Sequence, residues 1–205
     1  MSGPAELDAS SRQCLQGLPP LVGVDTRVLV LGSFPSVKSL QLQQYYAHPQ
    51  NHFWRIMQTL WPEAPWPADR DYTRRSHCLL AQGVGLWDVY AQCEREGSLD
   101  SAIRAGQLND FEALLQRCPR LSGIAHNGGE SFRHAKAVKN SLLHAGLAEQ
   151  VTLHRLPSTS PANATWTFGQ KRTAWAAVMQ AHGLWSGDDP HGNLNDPQKT
   201  CRQNH

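Results

Sequence analysis

The sequence predicts an α/β domain, three α/β/α layers with a central four-stranded parallel sheet, and three observations carry that expectation. Four short aliphatic runs bounded by turn residues have strand character, segments of helical spacing separate them, and no two strand candidates are neighbours along the chain. A parallel pair needs a crossover long enough to hold a helix, and successive crossovers cover both faces of the sheet.

The first strand is "RVLVLG" at 27–32, an unbroken aliphatic run suited to burial on both faces. Next comes "NHFWRIMQTLW" (51–61), where Phe53, Ile56, Met57 and Leu60 share one helical face, so Phe53 belongs to the core. "GVGLWDVY" (83–90) is the second strand and "FEALLQRC" (111–118) a helix; "LSGIAH" (121–126) is the third strand and "GESFRHAKAVKNSLLHAG" (129–146) a helix. "VTLHRL" (151–156) closes the sheet and "QKRTAWAAVMQAHG" (170–183) packs over it. Residues 1–20 and 186–205 are polar and rich in turn formers, so they read as tails around a working domain at 21–185.

Composition narrows the class of protein. The 205 residues are 40% apolar and 18% charged with a net charge of +2, as in globular domains, and no apolar window approaches the ~18 residues of a membrane span. The N-terminal stretch carries acidic residues and no apolar signal core, so a cytoplasmic location is expected. Cys14, Cys78, Cys93, Cys118 and Cys201 form no C-x-x-C pair, so no metal is expected, and no cofactor.

Open parallel sheets bind ligands beyond the carboxyl ends of their strands, where the strand order switches direction. That rule selects Gly32 to Ser36, the Trp87–Asp88 region, His126 to Gly129 and Pro157 to Asn163. The first loop, "GSFPS", has neither the G-x-G-x-x-G of dinucleotide sites nor the Lys-Ser/Thr of a P-loop. Tyr45, Tyr46 and His48 follow it, too many rings for a surface loop with nothing to stack on. Asp88 ends an apolar strand, where a buried unpaired carboxylate costs several kcal/mol, so it either pairs with Arg95 or Arg104 or has a function. "LPSTSPANATW" offers Ser158, Thr159 and Ser160 as donors to phosphate oxygens, or as caps of the last helix together with Thr167. Lys171 lies close behind, which favours a polyanion, and Asn127 sits at a Gly-rich exit that lets a flat ring approach the backbone.

Taken in order, "VLVLGSFPSVKSLQLQQYYAHPQNHFW", "GVGLWDVYAQC" and "LPSTSPANA" resemble the uracil-DNA glycosylase superfamily, and most closely its hypoxanthine-DNA (deoxyinosine) branch, over roughly 20–182. The resemblance implies a monomeric, monofunctional enzyme that flips a deaminated nucleotide out of DNA and hydrolyses its N-glycosidic bond. Many relatives carry Asp or Asn directly after the first motif glycine, where this chain has Ser33; the resemblance makes Asn51 the substitute that aims the attacking water at C1′. It further implies that Gly32, Phe34, Pro35, Tyr46, Asp88 and Asn127 hold the base, Phe34 or Tyr46 by stacking. Ser158, Thr159, Ser160, Asn163 and Lys171 then meet the DNA. Relatives often insert a bulky wedge from the last loop, and here "PAN" supplies only Ala162 and Asn163.

Overall fold

The computed structural model describes residues 14–187. Its elements in chain order are β1 (Cys14–Gln16), β2 (Val28–Gly32), α1 (Val37–Leu42), α2 (Phe53–Leu60), α3 (Tyr72–Ala81), β3 (Val84–Asp88), β4 (Tyr90–Glu94), β5 (Arg104–Leu108), α4 (Phe111–Leu115), β6 (Gly123–Asn127), α5 (Gly129–Arg133), α6 (Ala135–His144), β7 (Thr152–Leu156) and α7 (Phe168–Ala181). A single 3-10 turn, Asp100–Ala102, lies between β4 and β5.

All four expected strands are present, and they form one parallel sheet in the order β3-β2-β6-β7. The chain runs from β2 to β3 on one side, then crosses back to place β6 and β7 on the other. The switch point therefore falls at the carboxyl ends of β2 and β6, Gly32 and Asn127, as the crevice rule requires. Val28 to Leu31 are fully buried because helices cover both faces of this central strand.

Helix α2 buries Phe53, Trp54, Ile56, Met57 and Leu60, the stripe its spacing predicts. Phe53 meets Trp175 of α7 edge to face with ring centroids 5.7 Å apart, which locks α2 to the last helix. Thr167 caps α7 through a reciprocal box with Gln170, the second role that its loop sequence allowed.

Two features depart from the expectation. The run 83–90 is not one strand: β3 ends at Asp88, and Tyr90 begins β4 in a separate antiparallel sheet of order β1-β4-β5. Residues 14–20, read as part of a tail, are also built into the domain. Cys14–Gln16 pairs with β4, the Gly17 amide donates to the Ala91 carbonyl, and Leu18 is buried beneath Tyr45. Three residues are too short a run to show strand periodicity, so only the partner strand reveals β1. The tails assigned to 1–13 and to positions beyond 187 lie outside the described residues.

Candidate active site

A cavity of about 940 Å³ opens at the switch point and is lined by the four stretches that the crevice rule selects. Its floor is the β2–α1 loop. The Gly32 carbonyl accepts from the Val89 amide and the Ser33 carbonyl from the Tyr90 amide, so the floor is strapped to the β3–β4 junction. A Cβ on Gly32 would run into Asp88 Oδ1, so glycine is required here by the carboxylate beside it. Phe34 is buried with Tyr90 and Cys93, and the Arg95 guanidinium lies 5.0 Å above its ring. Arg95 also donates to the Pro35 carbonyl.

Asp88 is 4% exposed, and among the described residues its Oδ2 has no hydrogen-bond partner and no salt bridge reaches it. The bland alternative of an arginine partner is therefore not what folds: Arg95 turns to Pro35, and Arg104 donates to the Ser101 and Ile103 carbonyls. Burial first, then the charge of Asp100, push the Asp88 carboxyl up to about 7, against the pull of Arg95. At neutral pH a large share of Asp88 holds its proton.

The wall formed by 45–51 departs from a simple stacking surface. Tyr46 adopts a left-handed backbone (φ 54°) and lays one ring face on Phe53, centroids 4.2 Å apart. Its hydroxyl is buried without a well-formed hydrogen bond and is held protonated by burial and by nearby Asp88. Tyr45 is anchored below, donating to the Leu18 and Pro19 carbonyls. Asn51 lines the cavity, and its Oδ1 accepts the Phe53 amide at 2.9 Å, which fixes the side chain at the start of α2. One acceptor position of that oxygen is thus taken, leaving its second lone pair and the Nδ2 donors.

The facing wall is the β7–α7 loop, and here two sequence readings are corrected. Thr159 is fully buried, its hydroxyl accepting from Asn127 Nδ2 and its amide donating to Asn127 Oδ1, both at 2.9 Å. Thr159 therefore does not face a phosphate, whereas Asn127, which lines the cavity, ties β6 to the loop with one N–H and one acceptor position of its amide and keeps a second of each. Lys171 is 1% exposed, with Nζ donating to the Ser160 carbonyl at 3.3 Å and the Asn163 carbonyl at 2.9 Å. It braces the loop from inside and is almost wholly shielded from solvent, because the face of α7 that it shares with Trp175 and Val178 packs inward. Ser158, Ser160 and Asn163 do line the cavity. The His52 amide donates to the Thr159 carbonyl, which joins the two walls.

Several lining residues were not singled out from sequence, four of them with side chains that bear on function. Asp100 accepts the Ser33 hydroxyl at 2.6 Å from a loop 67 residues away. Exposed Arg155 on β7 lies at the rim, as do Leu99, 60% exposed, and Trp166, 44% exposed. Trp166 stands only three positions past Asn163, and a search of the whole β7–α7 loop for bulky residues would have found it. No local pattern points to Asp100. Among the described residues no cluster of His, Cys, Asp and Glu could hold a metal ion, and no helix is long and apolar enough to cross a membrane.

The sequence pattern of the Uracil DNA glycosylase superfamily matches residues 19–179. A "Hypoxanthine DNA glycosylase" of Methanosarcina acetivorans is 34% identical over 165 residues, which are 80% of this chain and 98% of that protein. A protein of the same description from Methanosarcina barkeri is 36% identical over 116 residues, 57% of this chain and 72% of that one. A solution NMR structure from M. acetivorans, described as a candidate uracil DNA glycosylase, superposes with a TM-score of 0.69 at 32% identity, covering 83% of this chain and 99% of that one.

Proposed function

The chain belongs to the uracil DNA glycosylase superfamily, and from that premise we infer that it is a DNA glycosylase that hydrolyses the N-glycosidic bond of hypoxanthine in DNA. The observation that carries the base assignment is the unpaired Asp88 carboxyl at the cavity floor. Hypoxanthine presents N1–H beside O6, and Asp88 Oδ1, lying against Gly32, accepts from N1–H while a backbone N–H of the Gly32–Pro35 loop meets O6. An unpaired buried acceptor is costly, and a ligand donor relieves that cost only when the base is in place.

Cleavage proceeds through an oxocarbenium-like sugar, so the leaving base needs its negative charge stabilised in a site that excludes water. The loop amides supply fixed donors for it. Asn51 aims the water at C1′, with its orientation set by the Phe53 amide. Ser158, Ser160 and Asn163 contact the DNA backbone on the other wall, and the enzyme works in the cytoplasm as a single copy without a metal. Support for this division comes from the cavity's location at the switch point and from the Ser158 and Ser160 hydroxyls, which accept backbone amides and keep their own hydrogens to donate.

Uracil has the same N–H and C=O edge, and the structural relative from M. acetivorans is described with uracil, so deoxyuridine is the second substrate to test. Duplexes with a single deoxyinosine or deoxyuridine, treated with protein and then alkali, should give a cut strand with deoxyinosine first. If neither lesion yields a cut, the excision reading fails. Asn51→Ala should slow release about 100-fold while DNA binding persists, an effect of the size expected from a misplaced nucleophile; unchanged release would remove Asn51 from the mechanism.

A further inference from the structure

The pocket holds a second carboxylate that the reading above leaves idle. Asp100 begins the 3-10 turn between β4 and β5, an arm of the antiparallel sheet that has no part in the crevice rule. Three contacts strap this arm over the β2–α1 loop: Ser33 Oγ donates to Asp100 Oδ1 at 2.6 Å, the Val37 amide donates to Ser98 Oγ at 3.0 Å, and Arg95 donates to the Pro35 carbonyl. The arm and the loop therefore move as one body, and Asp100 lines the cavity beside Ser33 and Asp88.

We propose that Asp100, oriented by the Ser33 hydroxyl, is the general base that accepts the proton of the attacking water, and that Asp88, lining the same cavity as a neutral carboxyl, accepts N1–H through its C=O oxygen and donates its O–H to the departing base. The proposal rests on the glycosylase reading above and supplies what Asn51 lacks, since an amide can aim a water but cannot take its proton. In the step, the water oxygen bonds to C1′ as the C1′–N bond breaks. The bonding pair leaves with the base, the water proton passes to Asp100, and the base receives a proton from Asp88. Solvent then resets both carboxyls.

Environment separates the two roles. Asp88 has no donor to stabilise its charge and is 4% exposed, whereas Asp100 receives a short charge-assisted hydrogen bond and belongs to an exposed turn. Two carboxyls of which one accepts a hydrogen bond from a fixed hydroxyl and the other has none can divide the roles of base and acid, as in glycoside hydrolysis generally. Asp88 on β3, Tyr90 and Cys93 on β4, Arg95 just past its end, and Glu130 on α5 are the titratable groups that couple electrically to Asp100. Burial, with Glu130 adding to it, raises the Asp100 carboxyl above its ordinary value, and the Ser33 hydrogen bond and Arg95 offset only part of that rise. The serine thus has a chemical purpose: it holds a carboxylate that reaches the cavity from a distant loop.

The test is the single-turnover rate against pH, using whichever of deoxyinosine or deoxyuridine the wild-type chain excises, for wild type, Asp100→Asn, Asp100→Glu and Ser33→Ala. General-base loss predicts a fall of about 100-fold for Asp100→Asn, with the acidic limb of the profile flattened. Affinity for an abasic duplex and the melting temperature should stay at wild-type values, and Asp100→Glu should recover part of the rate. Ser33→Ala should lose about 10-fold, the scale of one hydrogen bond to a charged group, and move the acidic limb to higher pH. Asp100→Asn turning over at the wild-type rate with its acidic limb intact would overturn the proposal. So would a Ser33→Ala profile whose limb does not move. A wild-type chain that releases neither base would instead sink the glycosylase reading and take this one with it.

Discussion

The two sides of the cavity differ in how their polar groups are satisfied. On the β7–α7 side, Asn127 and Thr159 close a reciprocal pair, Lys171 holds two carbonyls, and the Ser160 and Ala162 amides donate to the Ser158 and Ser160 hydroxyls. On the β2–β3 side, Asp88 Oδ2, the Tyr46 hydroxyl, and Nε and Nη1 of Arg95 are buried without partners. A satisfied network rigidifies and places; an unsatisfied one raises the energy of the empty site and is relieved by a ligand. On the proposed reading, one wall is scaffold for the DNA strand, and the other is where the base and the chemistry belong.

The largest test of that contrast is Asp88→Asn. A carboxyl near 3.8 when unfolded and about 7 when folded binds more protons in the native state, so its effect is to make stability fall as pH rises from about 4 to 7. Full relief of that term is worth roughly 4 kcal/mol. Asp88→Asn should therefore melt higher than wild type at pH 8 and no higher at pH 4, while losing activity. His126 works in the opposite direction. Buried, with Ser131 passing its own hydrogen to the Leu31 carbonyl, it is held neutral and pushed down to about 4, so its contribution is lost as pH falls from 6.5 to 4. In wild type these opposing slopes flatten the pH dependence of melting; in Asp88→Asn the upward slope of His126, shared in direction by His52, His154 and His182 and opposed by Asp100, should be steeper than in wild type. Equal melting curves at pH 8 for the two proteins would show that the Asp88 side is not under electrostatic stress.

On the satisfied wall, Lys171→Met keeps the aliphatic stem and removes the donor to two loop carbonyls. A loss of about 1–3 kcal/mol is expected, the cost of buried acceptors left unpaired. Because Lys171 acts through the loop, KM for duplex substrate should rise several-fold with kcat little changed; a collapse of kcat instead would move Lys171 into the chemistry. The smallest effect is Ser158→Ala, which removes one rim hydroxyl that also receives the Ser160 amide. About a 2- to 5-fold rise in KM is expected, the scale of a single neutral hydrogen bond, and it should shrink in high salt along with the backbone contacts.

The features that were legible in the sequence are those whose cause is local. Val28 to Leu31, the i, i+3, i+4, i+7 stripe from Phe53 to Leu60 and the Thr167 cap all follow from periodicity or capping chemistry within one element. Strands alternating with helices then dictate parallel pairing, and the crevice rule places Gly32, Asp88, Asn127 and the 158–163 loop around one cavity before any contact is known. The family followed from three motifs in order, and the pattern match over 19–179 agrees.

Tertiary structure alone decided which of those polar residues remain available. Hydrogen-bond partners are chosen across the fold, so nothing near Lys171 in the chain announces that its ammonium is consumed by Ser160 and Asn163, nor anything near Asn127 that Thr159 takes its amide. The same holds for the opposite outcome: Asp88 has two arginines within reach in sequence, and folding directs both elsewhere. Asp100 is the extreme case, an ordinary loop aspartate until the antiparallel sheet swings it 67 residues back onto Ser33. Periodicity is a property of neighbours along the chain, whereas satisfaction of a polar group is a property of neighbours in space.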